Sequence, residues 1–390
     1  MERRRRRRRT GGLATSNCNE EQTTSGVGVG VGVHLPSPII VDILSRLPTR
    51  SLLKCKCICK NWQYLIMHDL YFRKIRLARA DILDDIVIPV NGSRRLFYLL
   101  ELGEDSNYVH RTHWPMRFKI QSNKKLIGSC NGLFCLLNYY NRDTVYISNP
   151  ILGESVALPK PKTDAKPFRV TYCFGFSPTT EEYKVLRFRL LPADYSTVDV
   201  HTLGTDTWRN VGDAPYPAHD YGVNLNGAVH WIDKRGTSIY PFDIDEEQVH
   251  PIPLPLELRN TYLDEVDLGV LGNCLSIYQN SINYLDMWSM KDYGVAESWT
   301  KLRILKTSIL HEARLFPVTF WRDGEILISC MNGLLVSYNH EKGNFTALKV
   351  YYPKEKVYAF HAFSYRSSFF SLKDVASKGG LRVVNVKSKK

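Results

Sequence analysis

His34–Arg79 reads HLPSPIIVDILSRLPTRSLLKCKCICKNWQYLIMHDLYFRKIRLAR. Ser37 is placed to cap a first helix with Pro38 at its first position, where a missing N–H costs nothing. Ile40, Ile43, Leu44 and Leu47 then follow the i, i+3, i+4, i+7 spacing of one apolar face. Pro48 ends that helix, and Thr49 is placed to cap a second one carrying Leu52 and Leu53. A third helix holds Trp62, Leu65 and Ile66, and a fourth covers roughly Leu70 to Leu77. A stretch this short makes a marginal core. The pattern therefore predicts a small helical domain with apolar surface left over for a partner.

Beyond this stretch the period changes. From about Asp81 to Leu372 the chain runs in short alternating segments bounded by turn residues, such as Leu133–Leu137, Thr144–Ile147, Lys184–Phe188 and Glu325–Ile328. These are strand signals, with a short helical turn expected only near Leu256–Arg259. Turn markers recur at Asn131-Gly132, Gly175, Asn226-Gly227, Gly272-Asn273 and Asp323-Gly324, spaced 43 to 52 residues apart. Tyr146, Phe242, Met287 and Tyr338 mark a strand centre 14 or 15 residues after four of these glycines. In the second unit the matching strand comes later, near Val200, behind an insert at Arg189–Ser196. Repeats of this length, each worth four antiparallel strands, predict blades stacked radially into a propeller. Five units are readable. Strands at Ile86–Val90 and Leu96–Leu100 are candidates to join C-terminal strands around Val357–Phe370 and close a sixth. Trp208, Trp231, Trp299 and Trp321 are expected between blades, and Asp243–Glu247 as a solvated hairpin turn.

The formal charge of +13 is unevenly placed. Residues 1–33 carry +4, residues 34–80 carry +7, residues 81–372 carry −3 and the remainder +5. The β-rich region thus lacks the basic stripe that nucleic-acid binding needs. The cations at Arg46, Arg50, Lys54, Lys56, Lys60, Arg73, Lys74, Arg76 and Arg79 read mainly as a solvated face, with complementarity to an acidic partner as the other reading. Residues 1–33 combine the Arg3–Arg9 block with a Gly-Val run from Gly26 to Val33 and read as a disordered basic tail. The arginine block is a candidate nuclear-import signal, which places the chain in the nucleus, the cytoplasm or both. Nine scattered cysteines without a C-x-x-C pair read as reduced thiols. No membrane span or secretory signal is expected.

Motifs for chemistry are sparse. The sequence has no G-x-S-x-G, H-E-x-x-H, Walker-type or dinucleotide glycine loop. Cys55, Cys57 and Cys59 do not converge as a zinc set. His110 and His113 lack a third ligand, so no metal, cofactor or catalytic residue is expected. Two aromatic-rich clusters suit partner recognition instead: Tyr108, Arg111 and Trp114, and the insert with Tyr216, His219 and Tyr221.

The series Leu35-Pro36, Ile43-Leu44, Leu47-Pro48, Ser51-Leu52-Leu53, Cys57, Cys59-Lys60 and Trp62 resembles an F-box, in its plant version. Ser37-Pro38 stands where an acidic pair is common in that family. The resemblance implies docking on the Skp-type adaptor, and through it the cullin, of a Skp–cullin–F-box ubiquitin ligase. Leu35, Pro36, Ile43, Leu44, Leu47, Pro48, Leu52, Leu53 and Trp62 become core or adaptor-facing positions. The β-rich region resembles the F-box-associated interaction domain of a large plant family. Gly128–Leu133, Ser148-Asn149-Pro150, Phe174–Pro178 with Glu182–Val185, and Asn226–Trp231 carry that resemblance. Its repeat length is kelch-like, but the double-glycine kelch signature is absent.

The expected fold is multidomain α + β: a small N-terminal helical F-box followed by an all-β, kelch-like propeller of about five or six blades. The expected divisions are 1–33 tail, 34–80 F-box, 81–372 F-box-associated propeller and 373–390 basic tail. The implied function is that of a non-catalytic substrate receptor, whose propeller recruits an unknown protein target for ubiquitination. Two alternatives stand beside it: a non-degradative F-box scaffold, and a carbohydrate-binding or enzymatic kelch-like propeller. Neither nucleic acid nor membrane is an expected partner.

Overall fold

The computed structural model describes residues 35–79, 85–89, 96–101, 116–119, 124–138, 140, 143–162, 169–191, 196–258, 266–321, 323–348, 362–376 and 383–385. Arg3–Arg9, the junction at 80–84, and the cluster of Tyr108, Arg111 and Trp114 lie outside them.

Four helices open the described chain: α1 (Ser37–Ser45), α2 (Thr49–Cys55), α3 (Lys60–His68) and α4 (Leu70–Ala78). Two starts differ from the sequence reading. Pro36 and Pro48, in extended backbone, occupy the N-cap positions, so Ser37 and Thr49 are already helical and neither caps with its side chain. A proline ring fixes φ just ahead of the helix without needing a donor. Thr49 is thereby released for a tertiary contact. The inward face of α1 is Val41, Leu44 and Ser45, with Ile40 and Leu47 partly covered. Ile43, expected on that face, points outward and is 46% exposed.

The rest of the described chain is built mainly on six antiparallel sheets. Five blades are each built on one continuous four-stranded stretch. They are β4–β7 (Lys124–Cys130, Leu133–Asn138, Val145–Asn149, Glu154–Ala157) and β8–β11 (Arg169–Phe176, Tyr183–Leu190, Ser196–Thr202, Arg209–Asp213). Then come β12–β15 (Val223–Leu225, Ala228–Ile232, Ser238–Asp243, Ile252–Pro253), β16–β19 (Val266–Leu271, Cys274–Asn280, Tyr284–Met290, Trp299–Leu305) and β20–β23 (Leu315–Trp321, Glu325–Cys330, Leu335–Asn339, Asn344–Leu348). The remaining blade is composite. Strands β1 (Asp85–Pro89), β2 (Leu96–Glu101) and β3 (Met116–Lys119) take β24 (Phe363–Tyr365) as their innermost strand. Val87 pairs with Phe363 and Asp85 with Tyr365, so both ends of the domain close the ring. This is the sixth unit expected from the sequence.

The core is a set of seams between blades rather than one central mass. Ile127, Leu133 and Ile147 of the β4–β7 blade pack with Tyr172, Phe174 and Val185 of the next. Equivalent clusters join the third and fourth blades, the fourth and fifth, and the fifth and sixth, counting the composite blade as the first. Three tryptophans mark the strategy: Trp208, Trp231 and Trp299 donate their indole N–H to the carbonyls of Pro159, Pro215 and Pro253, at 2.7, 2.9 and 3.2 Å. Each proline lies near the end of a blade, where the chain steps towards the next. A buried indole needs an acceptor, and an inter-blade carbonyl needs a donor.

Asn131-Gly132 forms a two-residue hairpin with both φ angles positive, 42° and 78°, the geometry that matches strand twist. The pairs at 226–227, 272–273 and 323–324 repeat it. Gly175 is different. It lies inside β8, opposite Lys184, and the hairpin follows at 177–182. A Cβ at Gly175 would meet Val229 Cγ2, and Asn224 Nδ2 and Ile244 Cδ1 at 2.9 Å. The glycine admits the next blade rather than a turn.

The stretch from Lys373, read as a basic tail, holds most of helix α5 (Leu372–Ala376) and strand β25 (Val383–Asn385). β25 pairs with β7 as a fifth strand and covers that blade's outer edge.

Candidate functional site

The helical domain has a dry inner side and an apolar outer side. Leu44, Leu52, Ile66 and Phe72 are buried with Val41, and Leu47, Leu53 and Trp62 are partly covered against them. Leu35, Ile39 and Ile43 follow one another at i, i+4, i+8 and are 45%, 46% and 46% exposed. Pro36, Pro48 and Ile58 are exposed beside α1 and α2. The nine candidate adaptor positions therefore separate by burial. Leu44 and Leu52 hold the domain together, while Leu35, Pro36, Ile43 and Pro48 are available to a partner. Ile39 belongs with the second group and was missed, although its i+4 spacing to Ile43 was in plain view.

The basic residues are less free than expected. Arg46 and Arg79 both bond the Asp42 carboxylate, with Arg79 Nη2 at 2.6 Å and Arg46 Nε at 3.0 Å. Those bonds, from Arg46 first and Arg79 next, hold the Asp42 carboxyl below its ordinary range. Arg76 is buried in α4 and donates to Leu47 O at 2.8 Å and Thr49 Oγ1 at 3.1 Å. Arg73 lies 5.0 Å from the ring centre of Phe370, and Lys74 reaches Glu181 at 2.7 Å. Lys54, Lys56 and Lys60, on α2, the turn after it and the start of α3, have no ion-pair partner among the described residues.

Strand direction fixes which side of the propeller the helices occupy. They touch Ile151, Leu152 and Glu181, in turns between third and fourth or first and second strands. The opposite side carries the starts of the inner strands and the second-to-third turns. There Asp220 accepts from Arg169 Nη2 at 3.1 Å, Thr171 Oγ1 at 3.1 Å and Lys125 Nζ at 3.4 Å. Burial alone would raise the Asp220 carboxyl, but Lys125 and Arg169 outweigh it and hold it low. Tyr221 donates to Asp267 Oδ1 at 2.7 Å, and Arg314 reaches the other oxygen at 2.8 Å. These bonds lace together the entries of five successive blades.

The aromatic insert is consumed by that lacing. Tyr216 is 5% exposed, and its hydroxyl lies 2.9 Å from Thr171 Oγ1. It belongs to the seam between the third and fourth blades rather than to a free surface. Tyr221 is held by Asp267, and burial raises its phenol. His219 stacks on Tyr221 with centroids 5.4 Å apart, and its Nε2 is buried without a partner among the described residues. Exposed apolar residues on this side sit elsewhere: Ile282 and Met331 in second-to-third turns, and Leu305 and Ile309 where the fifth blade passes to the sixth. Lys306 joins them, bonding Ala313 O at 2.7 Å while its own N–H reaches Asn283 O.

Among the described residues no group of three or more His, Cys, Asp or Glu is placed to hold a metal ion, and no helix is long and apolar enough to cross a membrane. His201 and His230 are buried, and burial pushes each down to about 4. His230 Nε2 lies 2.6 Å from the Tyr293 hydroxyl. Asp243–Glu247, expected as a solvated turn, grips the neighbouring blade instead. Ser177 Oγ donates to Asp245 at 2.5 Å, and Lys184 Nζ reaches Glu247 at 2.9 Å.

Comparison with known proteins agrees with this architecture. Residues 33–78 match the F-box-like family, and residues 86–373 match the F-box associated beta propeller domain. F-box protein At3g07870 of Arabidopsis thaliana is 28% identical over 368 residues, covering 80% of this chain and 87% of its own. F-box protein CPR1 of the same plant is 26% identical over 355 residues, covering 81% and 84%. Among solved structures, TolB from Acinetobacter baumannii overlaps 76% of this chain and 72% of its own at 12% identity and a TM-score of 0.45. A helical F-box fused to a ring of antiparallel blades, matched over both parts, places this chain among the F-box proteins with an F-box-associated β-propeller domain.

Proposed function

We propose that this chain is the substrate receptor of a Skp–cullin–F-box ubiquitin ligase. The observation that carries the reading is the exposed apolar series Leu35, Ile39 and Ile43, with Ile58 also exposed after α2. The inner side of the same helices is already filled by Leu44, Leu52 and Phe72. Large apolar side chains left in a row on a charged domain favour a protein partner. In the F-box family that partner is a Skp-type adaptor.

The propeller's part is to hold a target on the side away from the helices. Ile282, Leu305, Ile309 and Met331 support that side as the contact surface. Binding both partners at once makes ubiquitin transfer effectively intramolecular, which raises its rate without any catalytic residue in this chain.

The test is co-purification of the full chain with a purified Skp-type adaptor. The wild-type chain is expected to form a complex, and the pair Ile39→Asp and Ile43→Asp to lose it while keeping the β-sheet circular dichroism. A folded double variant that still binds, or a wild-type chain that does not, overturns the proposal.

A further inference from the structure

One continuous run, Arg366–Leu372, touches both domains through side chains that neither domain could replace. It leaves the ring-closing strand β24 and lies against the helices through Ser367 and Phe369. On the propeller side it is tied at several points. Asn149 Nδ2 donates to Ser368 O at 3.0 Å and to Phe370 O at 2.9 Å. Buried Glu154 accepts from Leu372 N at 2.8 Å and from Ser371 Oγ at 3.2 Å. Just before the run, the Tyr365 hydroxyl donates to Gly132 O at 2.9 Å. The ring of Phe370 lies 5.2 Å from that of Tyr183 in the β8–β11 blade.

On the other side the same run completes the F-box. Phe369 is 5% exposed and packs in one cluster with Val41, Leu44, Leu52, Ile66 and Phe72. Ser367 bonds the Thr49 hydroxyl and accepts from Arg76 Nη2 at 3.3 Å. Arg76 also donates to Leu47 O, so one buried guanidinium joins α4, the α1–α2 corner and the C-terminal run. A buried cation is costly unless its donors find fixed acceptors, and both Nη groups of Arg76 find them here, which makes this junction specific in orientation. Lys74–Glu181 and His68–Asp374, at 2.7 and 3.5 Å, flank it.

We infer that residues 366–372 form a clasp that fixes the F-box on the propeller, with Arg76, Ser367 and Phe369 as its positioning residues. A helical domain of this size is marginal alone, and Phe369 supplies the core side chain that it lacks. The two domains then turn as one body. The consequence for ubiquitin transfer rests on the function proposed above, whereas the geometry does not.

The test uses the full chain carrying Phe369→Ala with Ser367→Ala, read by hydrogen exchange and small-angle scattering. Amides of α1–α4 are expected to exchange at least about tenfold faster, the change that a loss of about 1.4 kcal/mol produces. The radius of gyration is expected to rise while amides of residues 169–348 stay protected. Unchanged exchange in α1–α4, or an equal rise through the blades, overturns the clasp. If Phe369→Ala does not fold, Ser367→Ala with Phe370→Ala is read by the same two criteria. An adaptor that never binds the wild-type chain sinks the functional proposal and leaves this one standing.

Discussion

Lys184 Nζ lies 2.9 Å from Glu247 Oε1, across the seam between the third and fourth blades. Lys184 is buried, and its remaining bond, 2.6 Å long, goes to Ile244 O in the same turn. Arg209 closes on Glu247 from the outer strand. Burial alone would raise the Glu247 carboxyl, but the bonds from Arg209 and Lys184 hold it below its ordinary range. The acidic turn is therefore a latch between blades, and it works only while Glu247 is ionised.

Glu247→Gln is expected to lower stability at pH 7 by about 1–3 kcal/mol, because two charged donors lose an ionised acceptor. A carboxyl held low contributes its stability above the ordinary carboxylate range and loses it as the pH falls. The gap between wild type and variant in urea titrations should thus narrow from pH 7 to pH 3. A gap that is constant with pH would contradict the latch.

The buried histidines predict a second acid sensitivity at higher pH. His201 and His230 are held near 4, against an ordinary value of 6.5. Their neutral forms are favoured in the fold, so stability is complete above about pH 6.5 and declines as the pH falls towards 4. Each contributes up to about 3 kcal/mol over that window. His201→Gln should flatten the decline between pH 7 and pH 4.5 in denaturation midpoints, and an unaltered slope would count against it.

Gly175→Ala tests the seam between blades directly. Its Cβ would press on Val229 and Ile244 of the next blade. A cost of about 1–3 kcal/mol is expected, as for other overpacked cores. Gly128→Ala, whose Cβ would find only Phe174 Cβ at 3.4 Å, should cost far less in the same thermal melts.

The two faces of α1 predict opposite phenotypes. Leu44→Ala should destabilise the chain by about 2–5 kcal/mol, the cost of emptying a buried leucine site. Ile39→Asp should leave the melting temperature nearly unchanged and act on adaptor binding alone. Melting curves beside adaptor pull-downs separate the two effects.

These cases show what the sequence made legible. Local signals carried far: Pro48 marks the break between the first two helices, and Asn131-Gly132 is the turn it looks like. The composite blade was readable because five units left strands unpaired at both ends. What escaped depends on neighbours in the adjoining blade, 45 to 63 residues away. Gly175 resembles a turn marker until Val229 is beside it, and the carboxylates of Asp243–Glu247 resemble solvent-facing ones until Lys184 arrives. The same holds for Tyr216, whose aromatic, proline-flanked setting suits a recognition loop and a seam equally well. Ile39 and Ile43 were harder to sort than Leu44, since one apolar spacing fits either face of so short a helix.

The strand that closes the ring is residues 363–365, and the phenylalanine that completes the F-box is residue 369. During synthesis the helical domain emerges ahead of the propeller, yet its core is whole only once Phe369, which follows the propeller's blades in sequence, has been made. Pairing of β1 with β24 spans the entire propeller, so it is a late and slow event in folding. A chain cut before residue 366 thus keeps the exposed Leu35, Ile39 and Ile43 but lacks the piece that steadies the helices behind them. Completion of the helical core thereby becomes a report that the whole propeller has been translated.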